Sequence, residues 1–365
     1  MKWSPQQDDA LKAASHWLKK RDDQVFRLFG FAGTGKTTLA KELAQQVDGD
    51  VVFGAFTGKA AHVLRQKGCE GAQTIHSLIY RPAVAEDEDP GESPMFTIRR
   101  DAPAGEASLI IIDECSMVDE ELGRDLLSFG APVLVLGDPA QLPPVKGGGY
   151  FTEEEPDVML TEVHRQAEES PIVRLSMQIR EGEIPDFGDY GEAKVIGKRE
   201  IDPDSVLEAD QVLVGTNRTR RRYNERLRER QDFEGIEPCV GERLVCLRNN
   251  KQKGLLNGSM WTVKQRNGKK RGMLRMDLLP EDGGRAARVA VLPEFFTEEA
   301  KDIPWPKKRN SDEFDFGYAL TVHKAQGSQW DDVMLFDESY AFREHRMAWL
   351  YTGVTRAAKK LTLVR

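Results

Sequence analysis

Short apolar runs alternate with segments of helical periodicity through residues 25–145. The strand-like runs are VFRLFGF, VVFGAF, SLIIID and VLVLGD, and the helix-like segments include TTLAKELAQQV, GKAAHVLRQKG and VDEELGRDLLSF. This alternation is typical of a parallel sheet covered by helices. The same texture begins again near Leu160, contains QVLVGTN, and resumes late in the chain with FGYALTVHKAQG, DDVMLFDE and LTLVR. The pattern therefore predicts an α/β protein with two lobes, each built on a parallel sheet.

Two segments interrupt this pattern. Residues 81–107 are first rich in proline and acids and then continue as MFTIRR, which predicts a small hairpin insertion. Residues 233–314 contain short strand-like runs with turn signals such as Asn257-Gly258, which predict a β-rich insertion. The predicted domains are a first lobe over 1–150 that carries the hairpin, and a second lobe over 151–232 and 315–365 that carries the β-rich insertion.

Composition narrows the class of protein. Of the 365 residues, 39% are hydrophobic and 31% are charged, which is typical of a globular protein with a substantial core. No run is long enough for a membrane span and the N-terminus has no apolar signal core, so we expect a cytoplasmic protein with no membrane partner. The four cysteines show no C-x-x-C pairing, which argues against a zinc site or a disulfide framework.

The formal net charge of −8 would by itself argue against a polyanionic partner. Binding is decided by local patches, however, and the chain has basic ones. They are RTRRRYNERLRER at 218–230, KQRNGKKRGMLR at 264–275 and PKKR at 306–309. A nucleic-acid partner therefore remains open at this stage.

The segment GFAGTGKT at 30–37 fits the pattern G-x-x-x-x-G-K-[ST] between a predicted strand and a predicted helix. Glycines in this motif let backbone N–H groups converge on phosphate oxygens at a helix N-terminus. Lys36 is predicted to neutralise the β- and γ-phosphates, and Thr37 is predicted to hold Mg²⁺. The candidate ATP-binding residues of the loop are Gly33, Thr34, Gly35, Lys36, Thr37 and Thr38.

A second motif, SLIIIDECSM at 108–117, supplies the carboxylates that the phosphate loop lacks. Its apolar run ends in two carboxylates, of which Asp113 is predicted to bind the metal and Glu114 to orient or deprotonate a water. Together with the phosphate loop, this pair predicts a nucleoside triphosphate hydrolase that uses Mg²⁺.

A lone amide, Gln141, lies within the segment VLVLGDPAQLPPV at 133–145, just after its apolar run. Strands of one parallel sheet deliver their carboxyl ends to a common edge, so Gln141 is expected near the phosphate loop and the acids. An amide can donate to a γ-phosphate oxygen or orient the attacking water, and the two prolines that follow would stiffen the segment leading toward the other lobe. We therefore predict that Gln141 is a sensor between nucleotide chemistry and DNA binding; the alternative is that it only caps a turn.

The motifs in this order resemble those of superfamily 1 helicases, within the RecD-like and Dda-like branch of 5′-to-3′ DNA motors. The segments that carry the resemblance are FTGKAAHVL at 56–64, QTIHSLI at 73–79, VLGDPAQLPPV at 135–145, LTEVHRQ at 160–166, ALTVHKAQGSQWDDVML at 319–335 and LYTGVTRAAKKLTLV at 350–364. The resemblance implies two RecA-like P-loop lobes and an SH3-like β insertion in the second.

The resemblance also implies roles around the nucleotide. Gln7 would read the adenine edge, and Gln329 stands where many relatives carry an acid that bonds the ribose. Arg165 and Arg356 would act from the second lobe as arginine fingers on the γ-phosphate. Such fingers make hydrolysis depend on closure of the cleft between the lobes.

Contacts with the DNA backbone are likewise implied by the resemblance. The matching residues are Thr57, Lys59, Thr74 and His76 in the first lobe, and Thr321, His323 and Lys324 in the second. Hydroxyls, imidazoles and single lysines suit phosphate contacts that position a strand without reading its bases. The hairpin insertion corresponds to a strand-separating pin in relatives, with Phe96 as the candidate wedge.

These inferences predict a monomeric, ATP- and Mg²⁺-dependent motor that moves 5′ to 3′ on single-stranded DNA and separates duplexes at single-strand/double-strand junctions. Two alternatives remain. One is a translocase that displaces proteins or remodels branched DNA with little unwinding. The other is a non-motor, ATP-dependent switch that only binds nucleic acid.

Overall fold

The structure is a computed structural model that describes residues 3–82, 96–99, 101–144, 148–162 and 169–365. Within these described ranges, the strands of the first lobe are β1 (Val25–Gly30), β2 (Val51–Ala55), β3 (Gln73–Thr74), β4 (Tyr80–Pro82), β5 (Phe96–Ile98), β6 (Leu109–Asp113), β7 (Val133–Gly137) and β8 (Val158–Leu160). Six of them form a parallel sheet in the order β3-β2-β6-β7-β1-β8. Its helices are Pro5–Lys20, Lys36–Ala44, Gly58–Gln66, Ile75–Ile79, Pro103–Glu106 and Glu120–Leu127.

Helices cover both faces of this sheet because its central strands are apolar on both sides. Neighbouring residues of one strand point to opposite faces. Leu28 of β1 packs in one hydrophobic core, and the next residue, Phe29, packs in the other. Strand β7 is buried at every position, as expected of a central strand in a parallel sheet. The continuous run VLVLG is therefore explained by its place in the sheet.

The predicted hairpin insertion starts and ends as a short antiparallel pair. Strand β4 pairs with β5 through Tyr80–Ile98, Arg81–Thr97 and Pro82–Phe96. The acidic tip falls in residues 83–95, outside the described part of the chain. The side chain of Phe96 is also outside it, so the assignment of Phe96 as a wedge stays a prediction.

The rest of the chain forms the second lobe and its insertion. Its strands are β9 (Gly188–Asp189), β10 (Ala193–Ile196), β11 (Gln211–Val214), β12 (Arg243–Cys246), β13 (Met260–Lys270), β14 (Met273–Pro280), β15 (Ala287–Val291), β16 (Phe314–Phe316), β17 (Ala319–Thr321), β18 (Trp330–Phe336) and β19 (Ala357–Val364). The α-helices are Pro171–Arg180, Pro203–Glu208, Asn217–Glu229, Trp305–Lys308, Val322–Ala325 and Arg346–Val354. The described 3₁₀ helices of the whole chain are Cys115–Met117, Lys198–Glu200, Lys251–Lys253, Pro293–Phe296, Glu298–Asp302 and Ser339–His345.

The second lobe repeats the plan of the first. Its sheet has the order β17-β11-β18-β19-β10-β9 and is parallel except at the edge pair β9–β10. The insertion is a separate antiparallel sheet in the order β15-β14-β13-β12-β16. Two parallel sheets and one β-rich insertion agree with the predicted α/β class. No helix in the described ranges is both long and apolar enough to span a membrane.

The strand pairing extends the first sheet and the insertion beyond the domain boundaries expected from the sequence. Strand β8 pairs with β1, so the first sheet continues to Leu160, although the sequence analysis ended the first lobe at residue 150. The reason is that the apolar run VML completes the edge of that sheet. Strand β16 pairs with β12, so the insertion includes Phe316 and reaches just past the expected residue 314.

A buried ion pair joins the basic helix of the second lobe to the start of the insertion. The Nε and Nη2 atoms of Arg228 donate to the two carboxylate oxygens of Glu242 at 2.6 and 2.9 Å. Both side chains are almost fully buried, at 8% and 0% exposure. The same carboxylate accepts from the Cys239 N–H at 2.7 Å. The basic run at 218–230 is therefore in part structural, because one of its arginines is used inside the protein.

Glu242→Gln should destabilise the unit formed by the second lobe and the insertion by about 3 kcal/mol, because it leaves a buried guanidinium without its counter-charge. Urea unfolding followed by tryptophan fluorescence measures this change, since Trp261 lies in the core of the insertion. Asp277→Asn is the control: Asp277 pairs with Arg288, whose side chain is 72% exposed, and should change stability little. Equal losses in both variants would contradict the importance of the buried pair.

Candidate nucleotide cleft and nucleic-acid interface

A cleft of about 680 Å³ separates the two lobes. The first lobe contributes Ala32, Gly33, Gly35, Lys36, Thr37, Thr38, Lys41, Val63, Lys67, Asp113, Glu114 and Gln141, and the second contributes Gly327, Ser328, Gln329, Thr355 and Arg356. Residues more than three hundred positions apart in sequence thus face one space. Most of the predicted nucleotide residues are among them.

The phosphate loop leads from β1 into the helix Lys36–Ala44. Gly33 and Gly35 have φ angles of 81° and 83°, in the left-handed region that favours glycine. This backbone places the N-terminus of the helix at the cleft, where its free N–H groups favour an anion. The Lys36 ammonium donates to the carbonyl oxygens of Gly30 at 2.6 Å and Phe31 at 3.0 Å, so the loop itself holds the lysine at the cleft.

The two acids of the second motif lie beside this loop. The Thr37 hydroxyl donates to Asp113 Oδ2 at 3.1 Å, and the backbone N–H of Glu114 donates to Asp113 Oδ1 at 2.9 Å. A hydroxyl and a carboxylate side by side are hard oxygen donors, which fits Mg²⁺ held partly by substrate phosphates. Thr37 and Asp113 are the residues that would hold the ion.

Glu114 occupies a strained position with a φ of 55°, which is uncommon for a residue with a side chain. Burial raises the pKa of its carboxyl, and the nearby Arg356 guanidinium partly offsets that rise. A carboxylate with a raised pKa accepts a proton more readily near neutral pH. The position and chemistry of Glu114 therefore suit the activation of a water.

Gln141 lies at the cleft with most of its side chain buried, at 8% exposure. Its Oε1 atom has no hydrogen-bond partner among the described residues. Leaving a buried amide oxygen unpaired costs free energy unless another group supplies the bond. This unsatisfied oxygen fits a residue that bonds to a water or ligand in the cleft.

The second lobe presents Arg356 and Gln329 to the cleft. Arg356 is 5% exposed and is held by its own lobe, because its guanidinium donates to the carbonyl oxygens of Thr352 at 3.0 Å and Ser328 at 3.2 Å. The second predicted finger, Arg165, falls in residues 163–168, outside the described part of the chain. Its role stays a prediction.

Two predicted residues of the nucleotide site, Gln7 and Thr34, are not among the residues that line the cleft. Gln7 is 4% exposed, forms a capping box with Ser4 at the start of its helix, and donates to the carbonyl oxygen of Thr34 at 3.1 Å. Thr34 is 1% exposed, and its hydroxyl donates to the carbonyl of Phe31 at 2.9 Å. Both side chains shape the loop, and contact between Gln7 and adenine stays a prediction.

The three threonines predicted to contact DNA share one local role. Thr57, Thr74 and Thr321 each precede a helix, and each hydroxyl accepts the backbone N–H three residues later, at 3.1, 3.2 and 3.3 Å. This bond is the usual N-cap interaction and satisfies a free N–H of the first turn. The residue types at these positions therefore have a structural explanation, and DNA contact stays a prediction for them.

Lys59 is not open to solvent. Its side chain is 15% exposed and forms an ion pair with Asp282, in the turn between β14 and β15 of the insertion. The Lys59 N–H also donates to the carbonyl of Asn257 at 3.3 Å. The insertion thus contacts the start of the helix Gly58–Gln66, and a phosphate that bound Lys59 would compete with Asp282.

The two predicted histidines lie beside aromatic rings, His323 half-buried and His76 on the exposed surface. His76 lies 5.6 Å from the ring of Tyr80, and His323 lies 5.3 Å from the ring of Phe342. Partial desolvation by the neighbouring protein atoms lowers the pKa of both imidazoles. A lowered pKa keeps both rings neutral at neutral pH, so any phosphate contact they make is by hydrogen bonding. Lys324 follows His323 on the exposed surface.

Residues 138–142, hereafter the crossing segment, extend from the first lobe and pack against the second lobe beside the cleft. Its last residue, Leu142, is 1% exposed and packs in the hydrophobic core of the second lobe. The Leu142 N–H donates to the hydroxyl of Thr352 at 2.9 Å, and its carbonyl accepts from the Gln326 amide at 2.9 Å. Gln141 therefore sits one residue from a firm anchor in the opposite lobe.

The AAA domain family matches residues 2–199, which is more than half of the chain. The chain belongs to this family. A UvrD-like helicase C-terminal domain matches residues 316–364, within the second lobe. The ATP-dependent RecD2 DNA helicase of Deinococcus radiodurans is 29% identical over 363 residues, covering 90% of this chain and 45% of that relative. The chain thus spans less than half the length of that helicase.

Solved structures show the same fold. A Bacteroides Pif1 bound to ssDNA matches with a TM-score of 0.60 at 18% identity, covering 100% of this chain and 92% of that one. The Pif1 helicase from Candida albicans matches with a TM-score of 0.58 at 19% identity, covering 100% and 94%. The predicted fold of two RecA-like lobes is therefore confirmed, and the likeness to the RecD2 relative supports the resemblance to RecD-like superfamily 1 helicases that the motifs indicated.

The sequence analysis missed the residues that hold the crossing segment. Thr352 lies inside the quoted motif LYTGVTRAAKKLTLV, and Gln326 lies inside ALTVHKAQGSQWDDVML. Both were passed over because a threonine or glutamine in a helix-rich motif has no distinctive local signal. Their partner is the backbone of Leu142, and only the docking of the lobes brings them together.

Proposed function

We propose that the chain is an ATP- and Mg²⁺-dependent DNA helicase that translocates 5′ to 3′ along single-stranded DNA and separates duplexes at junctions. One observation carries the proposal most strongly. The cleft combines Lys36 and Glu114 of the first lobe with Arg356 of the second, so hydrolysis would require the lobes to approach each other. Coupling of hydrolysis to lobe approach is the physical requirement of a motor.

Each residue of the cleft has a part in the proposed reaction. Lys36 and the helix N-terminus would bind the β- and γ-phosphates, and Arg356 would stabilise the charge that develops on the γ-phosphate. Glu114 would orient the attacking water and accept its proton. Bound Mg²⁺ would neutralise phosphate charge, held by Thr37 and Asp113. Gln141 would accept a hydrogen bond from the water through its unpaired Oε1 atom, or donate to a γ-phosphate oxygen through its amide N–H group.

DNA is the proposed partner on two grounds. The RecD2 relative is named an ATP-dependent DNA helicase, and Pif1 structures are described with ssDNA and with forked dsDNA. In this chain, the N-termini of the helices Gly58–Gln66, Ile75–Ile79 and Val322–Ala325 carry the candidate contacts, and backbone N–H groups at helix starts suit phosphates. The 5′-to-3′ direction and a monomeric state rest on the resemblance.

Lys36→Ala should abolish DNA-stimulated ATP hydrolysis, because it removes the charge that binds the phosphates. Glu114→Gln should still bind ATP but hydrolyse it at least about a hundredfold more slowly, because an amide cannot accept the proton. Steady-state ATPase assays and nucleotide-binding titrations measure the two effects. Glu120→Gln alters an exposed carboxylate of the same lobe and should leave turnover unchanged. Normal hydrolysis by Glu114→Gln would refute the assignment of the base.

Strand separation on partial duplexes with either a 5′ or a 3′ overhang tests the direction and the helicase activity together. We expect ATP-dependent unwinding from the 5′ overhang alone. Unwinding from the 3′ overhang would contradict the 5′-to-3′ assignment. A protein-displacement assay on single strands, run in parallel, distinguishes the helicase from the translocase alternative.

That alternative is supported by the hairpin insertion, whose tip is acidic in sequence and would repel phosphates. Displacement of proteins without unwinding from either overhang would favour the translocase. Neither unwinding nor displacement, with ATP-dependent DNA binding retained, would favour the non-motor switch.

Asp282→Asn should tighten the binding of single-stranded DNA severalfold, because it frees Lys59 from its ion pair and removes a carboxylate that competes with phosphate. Fluorescence anisotropy with a labelled oligonucleotide at two salt concentrations measures the affinity. Glu281→Gln is the matched control, because Glu281 is the neighbouring acid and pairs with Arg243 at 2.6 Å within its own part of the protein. Unchanged affinity in Asp282→Asn would show that Lys59 does not contact DNA.

A further inference from the structure

A single hydroxyl connects three parts of the protein beside the cleft. Tyr351 lies on the second-lobe helix Arg346–Val354 and is 2% exposed. Its hydroxyl donates to Asp138 Oδ2 at 2.6 Å and accepts from the backbone N–H of Ala32 at 3.3 Å. Ala32 belongs to the phosphate loop and Asp138 begins the crossing segment. One side chain of the second lobe thus bonds to both nucleotide-facing loops of the first.

Asp138 links the Tyr351 hydroxyl to Gln141 through hydrogen bonds within the turn. Its Oδ1 atom accepts from the Ala140 N–H at 3.1 Å, and its carbonyl oxygen accepts from the Gln141 N–H at 3.1 Å. The carboxylate is 2% exposed, so its partners are fixed bonds that water does not replace. A change at the Tyr351 bond would therefore alter the position of Gln141.

Tyr351 is held in its protonated form, which the hydrogen bond to Asp138 requires. Burial and the adjacent Asp138 carboxylate raise the pKa of Tyr351. Its hydroxyl therefore remains protonated and donates to Asp138 across the working pH range. Because a hydrogen bond between a neutral donor and a buried charge is stronger than one between neutral groups, this contact resists separation of the lobes.

We propose that Tyr351 is a positioning residue that sets Gln141 and the phosphate loop according to the approach of the second lobe. The inference rests on the proposed function, because it assigns Tyr351 to the coupling between DNA binding and ATP hydrolysis. Tyr351 touches no nucleotide-facing space itself. It acts through Asp138 on Gln141, and through the Ala32 N–H on the loop that carries Lys36.

A purely structural role would predict something different. A buried tyrosine often needs a partner for its hydroxyl simply to avoid an unpaired group. The chain contains a matched case: the hydroxyl of Tyr318 accepts from the Arg243 N–H at 3.4 Å and donates to Glu242 Oε1 at 3.3 Å. Tyr318 lies where the chain returns from the insertion to the second lobe, between β16 and β17. Tyr318→Phe therefore removes the same kind of bond without touching the crossing segment.

Tyr351→Phe keeps the ring and removes only the hydroxyl. We expect the DNA-stimulated kcat for ATP hydrolysis to fall about tenfold, with the KM for ATP changed less than about twofold, because positioning in the reacting complex is lost and binding is retained. Thermal unfolding of Tyr351→Phe and Tyr318→Phe gives the structural cost of each change. Tyr318→Phe should retain the wild-type kcat.

A double-mutant cycle with Gln141→Ala identifies the route. If Tyr351 acts in part through Gln141, the double variant loses less kcat than the product of the two single losses, so the two losses are less than additive. Additive losses, or a wild-type kcat in Tyr351→Phe, would overturn the inference and leave the proposed function standing. A wild-type chain without any DNA-stimulated hydrolysis would overturn the proposed function and the inference with it.

Discussion

The cleft depends on a property of parallel sheets, which end all their strands at one edge. Strands β6, β7 and β1 are neighbours in the first sheet, so they bring the Asp113–Glu114 pair, Gln141 and the phosphate loop to the same place. The hydrophobic cores on both faces of the sheet fix that edge, because close-packed interiors do not deform freely. Half of the cleft is therefore rigid, and any change in its shape must come from the other lobe.

The second lobe adds the positive charge of Arg356 to the cleft. Arg356 is held by carbonyl oxygens of its own lobe, so its guanidinium moves as part of that lobe. It is also close enough to Glu114 to oppose the rise in the pKa of that carboxyl. Under the proposed function, the protonation of Glu114 and the charge that Arg356 offers to the γ-phosphate would both depend on the distance between the lobes.

Local chemistry made part of this predictable from sequence. The phosphate loop needs glycines at Gly33 and Gly35 because of their positive φ angles, and the pattern of continuous apolar runs reflects strands buried on both faces. Contacts between lobes could not be predicted. The bond from Tyr351 to Asp138 spans 213 positions, and neither residue differs locally from an ordinary buried tyrosine or turn aspartate. The threonines show the reverse case, because their N-cap bonds give a structural reason for residue types that the family resemblance assigns to DNA.

Gly327 shows how closely the two functions are packed. It lines the cleft from the second lobe, has a φ of 73°, and approaches the first turn of Gly58–Gln66 so closely that a Cβ would lie 2.9 Å from that of Ala60. Only glycine fits such a contact. Thr57 is the N-cap of that helix and Lys59 lies in its first turn, and both are residues proposed to contact DNA. Under the proposed function, a shift of the lobes at Gly327 would therefore affect the nucleotide cleft and the proposed DNA contacts together.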